Sequence, residues 1–141
     1  MVAVKTSLDK AEAQTLIYEF FKKFQNWLAQ SKIPSVADLE QYLSKNFQIS
    51  SNGQLVSKSP ADYISRFQKF QKKYARYEIS RPLEEILVSG NKCTLFYKVD
   101  LITHQGQRKT VFIMALINIE DHKITNWTQV ANEIGTGDWD K

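Results

Sequence analysis

The segment from Ile79 to Glu133 alternates between apolar and polar side chains and is interrupted by three short turn signals. Gly90-Asn91 is typical of a two-residue hairpin turn with glycine first, and Gln105-Gly106 and Asp121-His122 are predicted as further two-residue turns. The pattern therefore predicts four antiparallel strands in a meander. Because side chains along a strand point alternately to opposite faces, the turns also determine which residues share a face.

One face of this predicted sheet is mostly apolar, and its most polar row contains Glu84 and Gln129. With the turns as assigned, Tyr97 lies opposite Met114, and Met114 lies opposite Gln129. We expect this face to pack under the helices and to contain Val88, Ile86, Cys93, Leu95, Tyr97, Val99, Phe112, Met114, Leu116 and Trp127. A slip of one residue at any turn would exchange the faces of the strand that follows.

The opposite face is also rich in large apolar side chains, which a freely solvated sheet face rarely carries. It is expected to contain Leu83, Leu87, Phe96, Ile102, Ile113, Ile117, Ile119, Ile124 and Val130, with Arg81, Lys98, Asp100, Asn126 and Thr128 among them. We predict a homodimer whose contact includes Phe96, Lys98, Ile113, Ile117, Asn126, Thr128 and Val130. A different protein, the C-terminal tail or part of the N-terminus are the alternative coverings.

The first half of the chain predicts three helices and a short hairpin. Apolar residues follow helical spacing over Leu8–Gln30, with Ser7 as the expected N-cap, and many of them are aromatic. Capping signals place the second and third helices at about 35–46 and 59–74. Between these two helices, short strands flank an Asn52-Gly53 turn.

At 141 residues, 43% of them hydrophobic, the chain suits one domain with a substantial core. We predict a single domain over residues 1–134 and a flexible tail over 135–141. Cys93 is the only cysteine, which excludes an internal disulfide and a cysteine-based zinc cluster. No apolar run approaches the ~20 residues of a membrane span, and no signal-peptide pattern is present, so we expect a cytoplasmic location.

The order of the predicted elements resembles that of the nuclear transport factor 2-like superfamily, which includes ketosteroid isomerase and polyketide-cyclase-like proteins. The resemblance covers nearly the whole chain, including the stretches 43–50 and 124–130. It implies an α+β fold in which three N-terminal helices pack on a highly curved antiparallel sheet. Such a fold is a cone-shaped, cystatin-like roll with an apolar pocket at its open end. The resemblance also implies dimerisation through the outer sheet face.

The catalytic carboxylates of isomerase-type members have no counterpart in this chain. Their general base lies on the loop after the second helix, where this chain has Ser50-Ser51-Asn52-Gly53. Their second carboxylic acid lies on the strand before the last hairpin, near Ala115. Proton abstraction beside a carbonyl needs a base and a group that stabilises the enolate. Isomerase or cyclase chemistry of the known kind is therefore disfavoured.

An apolar or aromatic small molecule is the predicted ligand, held between the aromatic first helix and the sheet. The candidate ligand-binding residues are Tyr18, Phe20, Phe24, Trp27, Glu84, Tyr97, Met114, Trp127 and Gln129. Glu84 is also the leading candidate for a catalytic base, unless a bulge beside Pro82 turns it outward to water. Tyr97 can equally be an ordinary core residue, and Tyr18 can lie at the edge of its helix.

Three functions stay open: a ligand-binding domain, an enzyme of isomerase, cyclase or hydratase type whose base is not placed, and a dimeric protein-interaction module. We expect no cofactor and no metal site, because His104 and His122 are isolated at turns and no phosphate-binding glycine loop is present. The basic residues in and after the third helix are expected to form a solvated face: Arg66, Lys69, Lys72, Lys73 and Arg76. Neither nucleic acid nor a membrane is therefore a predicted partner.

Overall fold

Three helices and seven strands make up the part of the chain that the structure, a computed structural model, describes: residues 9–79 and 86–133. The helices are α1 (Lys10–Ala29), α2 (Val36–Glu40) and α3 (Pro60–Lys73). The strands are β1 (Leu43–Ser51), β2 (Gln54–Ser57), β3 (Tyr74–Ile79), β4 (Leu87–Ser89), β5 (Lys92–Thr103), β6 (Arg108–Glu120) and β7 (Lys123–Glu133). The helices pack on one face of a curved sheet, which confirms the predicted α+β class.

The strands form one sheet in the order β2-β1-β7-β6-β5-β3, and β3 and β4 pair with opposite ends of β5. Every pair is antiparallel except β1 and β7, which run parallel. The sheet is therefore mixed, whereas the sequence predicts a wholly antiparallel one. No hairpin connects β1 to β7, so no local signal fixes their relative direction.

The helix starts follow local signals in the sequence. The backbone N–H of Asp62 donates to Ser59 Oγ at 3.1 Å, and Pro60 occupies the first turn of α3. Ser35 and Asp38 form the predicted capping box, with both hydrogen bonds at 3.0 Å. The first helix differs slightly, because its N-cap position is Asp9 and not Ser7.

α2 ends earlier than predicted because strand pairing replaces its last residues, whereas α3 ends within one residue of its predicted end. α2 ends at Glu40 rather than near Asn46, since Leu43 already belongs to β1 and pairs with β7. α3 stops before Tyr74, which begins the strand β3 and pairs with β5. Tyr74 continues the apolar spacing of α3, so the sequence pattern alone does not separate the helix from the strand.

Three of the four predicted turns form as expected. Asn52-Gly53 has φ angles of 51° and 85°, and Asp121-His122 has φ angles of 51° and 61°, as two-residue turns of the primed type require. In Gly90-Asn91 the positive φ, 62°, falls on the glycine. These turns connect the pairs Ser51↔Gln54, Glu120↔Lys123 and Ser89↔Lys92.

The turn between β5 and β6 has three residues instead of the predicted two. The N–H of Thr103 donates to the carbonyl of Gln107, and the N–H of Gly106 donates to that of Thr103, both at 2.9 Å. Gly106 has a φ of 85°, the left-handed conformation that closes a three-residue hairpin loop. The additional loop residue moves β6 by one position, so Tyr97 lies opposite Ile113 and not Met114.

A bulge in the β6–β7 pair shifts the register a second time. The Asp121-His122 turn is as predicted, but the register changes between Asn118 and Ile119. Beyond the bulge, Trp127 lies opposite Ile117. Each shift is one residue in the same direction, so β7 moves by two residues relative to β5 and Trp127 faces the helices as predicted.

The observed register corrects the predicted faces of β6 and of the start of β7. Three residues that the predicted register places under the helices lie on the outer face: Phe112, Met114 and Leu116. Four residues predicted on the outer face are buried under the helices instead: Ile113, Ile117, Ile119 and Ile124. β5 has the predicted faces and buries Cys93, Leu95, Tyr97 and Val99.

Some predictions concern residues outside the described ranges. They include the roles of Arg81, Leu83 and Glu84 and the flexible tail at 135–141, all of which stay predictions. The single-domain boundary at residue 134 also stays a prediction. Within the described ranges, no helix is long and apolar enough to cross a membrane.

Candidate functional site

A cavity of about 240 Å³ lies between α1, α3 and the inner face of the sheet. Aromatic rings form much of its wall: Phe20, Phe21, Phe24, Phe47, Tyr63, Phe67, Phe70, Tyr77, Tyr97 and Trp127. The other lining residues are Ile49, Ser51, Arg66, Val99, Leu101, Val111, Ile113, Gln129 and Ala131.

Partly exposed lining residues lie at the end of the sheet where β1 and β7 stop and β6 starts, and we call this end of the cavity the mouth. Ser51, Val111 and Ala131 line it near these strand ends and are partly exposed, whereas Trp127 is only 4% exposed. Asn52 holds the edge of the mouth by pairing with Ala131 in both directions. Its Nδ2 donates to the Ala131 carbonyl at 3.2 Å, and the Ala131 N–H donates to its Oδ1 at 2.9 Å.

α1 supplies one wall because three of its aromatic residues fall on the side that faces the sheet. Phe20, Phe21 and Phe24 have the spacing of one helical face. The ring centroid of Phe21 lies 5.1 Å from that of Tyr97 and 5.7 Å from that of Trp127, with the second pair edge to face. Such tilted and edge-to-face contacts are the favoured arrangements of aromatic pairs, so they stabilise this wall.

α3 supplies the opposite wall through Tyr63, Arg66, Phe67 and Phe70, which have i, i+3, i+4 and i+7 spacing. Phe67 packs edge to face on Phe24 with the centroids 5.1 Å apart, which joins the two walls. Arg66 is half-buried and lines the cavity, whereas the sequence predicts a solvated face for it. It is the one charged side chain among the described lining residues.

Three tyrosine hydroxyls lie close enough in the cavity to influence one another's ionisation. The hydroxyls of Tyr77 and Tyr97 share a hydrogen bond. Burial is the main cause that raises the pKa of Tyr63, Tyr77 and Tyr97 above its ordinary value. The guanidinium of Arg66 acts in the opposite direction on the pKa of Tyr63. Near neutral pH, all three side chains are therefore neutral hydroxyls that can donate or accept a hydrogen bond.

Gln129 connects the aromatic wall to the mouth. The indole Nε1 of Trp127 donates to Gln129 Oε1 at 2.9 Å, and Gln129 Nε2 donates to Ser51 Oγ at 3.2 Å. An indole N–H can only donate, so it fixes which end of the amide faces Trp127. The amide is therefore held in one orientation at the side of the cavity.

The described lining residues include no aspartate, glutamate, histidine or cysteine. Cys93 is buried away from the cavity, and burial raises the pKa of its thiol to about 11. The histidines lie at turns as predicted, where His104 Nε2 donates to a backbone carbonyl at 2.8 Å and His122 Nδ1 lies 3.3 Å from Glu12. The described part of the chain also has no group of three potential metal ligands. The cavity therefore offers aromatic surface, hydrogen-bond donors and one cation, without a described side chain that would act as a base near neutral pH.

Comparison of the sequence with protein-family models and with curated proteins finds no match. Solved structures, in contrast, match over most of their length. A putative SnoaL-like polyketide cyclase from Jannaschia sp. CCS1 has a TM-score of 0.69 and 13% identity, with 92% of each chain covered. An NTF2-like protein from Anabaena variabilis has a TM-score of 0.69 and 11% identity, with 96% of this chain and 100% of that chain covered. The chain has the nuclear transport factor 2-like fold.

The nuclear transport factor 2-like fold carries different activities in different proteins. An LEH-like epoxide hydrolase from M. tuberculosis also matches, with a TM-score of 0.63, 15% identity and coverage of 86% of this chain and 84% of that chain. At such identities the likeness shows the fold and leaves the activity open. Of the residues at or near the two places where the sequence analysis expects the acids of isomerase-type members, Ser51 lines the cavity and Ala115 is 1% exposed.

Five of the predicted ligand-binding residues line the cavity: Phe20, Phe24, Tyr97, Trp127 and Gln129. Trp27 is buried but packs against Phe67 outside the lining, with the ring centroids 6.4 Å apart. Tyr18 is 39% exposed and is not part of the lining. Glu84 lies outside the described residues, and ligand binding by the five lining residues stays a prediction.

The placement of Met114 in the pocket is wrong. The three-residue loop before β6 turns its side chain to the outer face, where it is 50% exposed, and Ile113 takes its place in the cavity wall. Among the polar lining residues, the sequence analysis also missed Ser51, Tyr63, Arg66 and Tyr77. Helical spacing with Tyr63 could have placed Arg66 at the site, whereas Ser51 and Tyr77 depend on strand pairings that have no local signal.

The outer face of the sheet carries five of the predicted dimer-contact residues: Phe96, Lys98, Asn126, Thr128 and Val130. The other two, Ile113 and Ile117, are buried under the helices, so their assignment to the contact is wrong. Met114 and Leu116 occupy the outer face in their place. On the same face, Asp100 accepts hydrogen bonds from Arg108 at 2.8 Å and Thr110 at 2.7 Å.

Proposed function

We propose that this chain is a small-molecule-binding protein whose ligand is an aromatic or apolar molecule held in the cavity. The observation that carries the proposal is the cavity of about 240 Å³ with its predominantly aromatic wall. A dry apolar cavity of roughly 150 Å³ admits benzene. The larger volume therefore suits a molecule with one or two rings.

Gln129 supports a fixed orientation of the ligand. Its amide makes one hydrogen bond with Trp127 and one with Ser51. An amide group has two donor hydrogens and two acceptor lone pairs, so this one retains capacity for a polar group on the ligand. A cavity with a large apolar wall and a few convergent polar groups is the common form of a small-molecule site.

Two adjacent residues of β7 allow a matched test. Ala131 lines the cavity at the mouth, and Val130 lies on the outer face with 55% exposure. We expect one- and two-ring compounds, including 2-naphthamide, to bind the wild-type chain saturably at one site. Phenylalanine at position 131 fills the mouth, so Ala131→Phe weakens binding at least about tenfold, a cost of ~1.4 kcal/mol, while Val130→Phe leaves it unchanged.

Isothermal calorimetry gives the affinities, and tryptophan fluorescence gives a second readout because Trp127 lines the cavity. The proposal is refuted if no compound of the panel binds saturably. Equal losses in Ala131→Phe and Val130→Phe would place the binding site elsewhere.

An enzymatic role is the second candidate, because matching structures include a hydrolase and a putative cyclase by name. Glu84 remains the candidate base for such a role. Turnover that is lost in Glu84→Gln, with ligand affinity retained, supports this candidate, and unchanged turnover removes it.

Homodimerisation through the outer face also stays a proposal, with a revised contact. Its apolar part now includes Met114, Leu116 and Val130, which are 50%, 43% and 55% exposed. Beside them, the rings of Phe96 and Phe112 form an edge-to-face pair with centroids 4.7 Å apart. Such a contiguous apolar surface on one sheet face supports a self-complementary contact around a two-fold axis.

A further inference from the structure

One side chain in the wall of the aromatic cavity does not fit a purely apolar ligand. Arg66 is half-buried, belongs to the lining and is one helical turn from Tyr63. The other basic residues of α3, such as Lys69 and Lys72, are exposed. A guanidinium carries five N–H donors and stays charged at all ordinary pH values, so it needs hydrogen-bonding partners wherever it is dehydrated.

Within residues 9–79 and 86–133, no carboxylate forms an ion pair with Arg66. The four ion pairs that the structure shows there involve other basic residues: Arg76, Arg108, Lys109 and His122. The described cavity lining contains no acidic residue that could neutralise the charge from inside. Removing water from an unpaired cation costs free energy. A ligand that covers Arg66 must therefore either supply a negative or hydrogen-bonding group to it or bind weakly.

The charge of Arg66 acts on the interior of the cavity. Its guanidinium lowers the pKa of Tyr63, whose side chain is buried in the wall, against the larger effect of burial. Arg66 therefore presents positive potential to the same space that the hydroxyls of Tyr63 and Tyr77 share. A fixed cation beside neutral hydroxyl donors is a complementary arrangement for a single negative charge.

We propose that the ligand is an aromatic or apolar monocarboxylate, whose ring system packs against the phenylalanine wall and whose carboxylate binds Arg66. This inference rests on the proposed function of the cavity and specifies the chemical class of its ligand. A guanidinium pairs with a carboxylate through two parallel hydrogen bonds, and Tyr63 can donate a further one. One cation without a second basic residue in the described lining favours a singly charged group over a phosphate dianion.

The test compares acids with neutral amides of the same shape. The pairs are benzoate with benzamide and 2-naphthoate with 2-naphthamide, measured by calorimetry at pH 7 and two salt concentrations. For the wild-type chain, we expect the acid of each pair to bind about tenfold or more tighter than its amide. The advantage decreases as the salt concentration rises, because part of it is electrostatic.

Two substitutions on the same helix separate a direct role of Arg66 from a general charge effect. Arg66→Gln removes the preference for the acid, so the affinities for the acid and the amide become equal within about twofold. Lys69→Gln removes the same charge from the exposed side of α3 and keeps the preference. Arg66→Lys retains the charge without the bidentate geometry, so it keeps part of the preference.

Each outcome identifies which statement fails. If the amides bind and the acids bind no better, the cavity binds small molecules but the anionic ligand class is refuted. A preference for the acid that survives in Arg66→Gln also refutes the inference, since another group must then recognise the carboxylate. If neither acids nor amides bind the wild-type chain saturably, the proposed function fails and the inference fails with it.

Discussion

Two neighbouring residues of β6 offer a direct test of the register that places the cavity wall. Ile117 is 0% exposed under the helices, whereas Leu116 is 43% exposed on the outer face. The two-residue turn predicted from the sequence would reverse these positions. Alanine substitutions at the two sites should therefore lower the free energy of unfolding by very different amounts. The residue with the larger loss is the one whose side chain lies under the helices.

The magnitudes follow from the burial of each side chain. Truncating a fully buried isoleucine to alanine costs roughly 2–5 kcal/mol, because the lost apolar contact is accompanied by a cavity. Complete burial of a leucine is worth about 1.5–3 kcal/mol, and Leu116 is only a little more than half buried, so Leu116→Ala should cost roughly 1 kcal/mol. In a chain of this size, 1 kcal/mol corresponds to about 2–4 °C in melting temperature. We thus expect a decrease of roughly 10 °C for Ile117→Ala and about 3 °C for Leu116→Ala.

Urea unfolding followed by fluorescence gives the free energy of unfolding of each variant, provided the slope with denaturant is unchanged. The measurements are made over a range of chain concentrations, because association through the outer face would add a concentration-dependent cost to Leu116→Ala. If Leu116→Ala costs as much as Ile117→Ala at every concentration, the observed register is wrong.

Three further predictions follow from single features of the structure. Gln129→Leu leaves the buried indole N–H of Trp127 without its acceptor, so the free energy of unfolding should fall by about 1–3 kcal/mol in urea titrations; a stable variant would show that this hydrogen bond is dispensable. Burial raises the pKa of the Cys93 thiol to about 11. The stabilisation that comes from keeping this thiol neutral is present below the ordinary thiol pKa near 9 and decreases as the pH rises towards 11. A native chain whose thiol reacts rapidly with a disulfide reagent at pH 8 would contradict the burial. Met114→Glu places a charge in the proposed dimer contact and should shift sedimentation towards the monomer; a wild-type chain that is monomeric at micromolar concentration removes the dimer.

The sequence specifies the elements whose signals are local. The capping residues of α2 and α3 and the three two-residue turns each depend on a few adjacent side chains and on the φ angles that these allow, so they could be predicted. The loop that ends with Gly106 could not, because glycine after glutamine suits both a two-residue and a three-residue loop. The bulge after Asn118 likewise has no local signal.

The candidate site shows the same division between local and long-range information. The aromatic stripe of α1 predicts Phe20 and Phe24 in the cavity wall, because helical spacing alone brings them to one face. Ser51 lies at the site only because β1 pairs with the distant strand β7. Tyr77 lies there because it belongs to β3, a strand that the sequence pattern does not distinguish from a continuation of α3. Residues that depend on such pairings need the tertiary structure.

The parallel pairing of β1 with β7 has a consequence for how the chain is made. β7 lies in the middle of the sheet, between β1 and β6, although it is the last described strand in the chain. When a nascent polypeptide has emerged only as far as β6, its strands form two parts of the sheet that are not yet hydrogen-bonded to each other. One part is the β1–β2 pair, and the other contains β3, β4, β5 and β6. The edge strands β1 and β6 remain unpaired on one side until β7 has been synthesised. We expect a chaperone to protect the chain most during this interval.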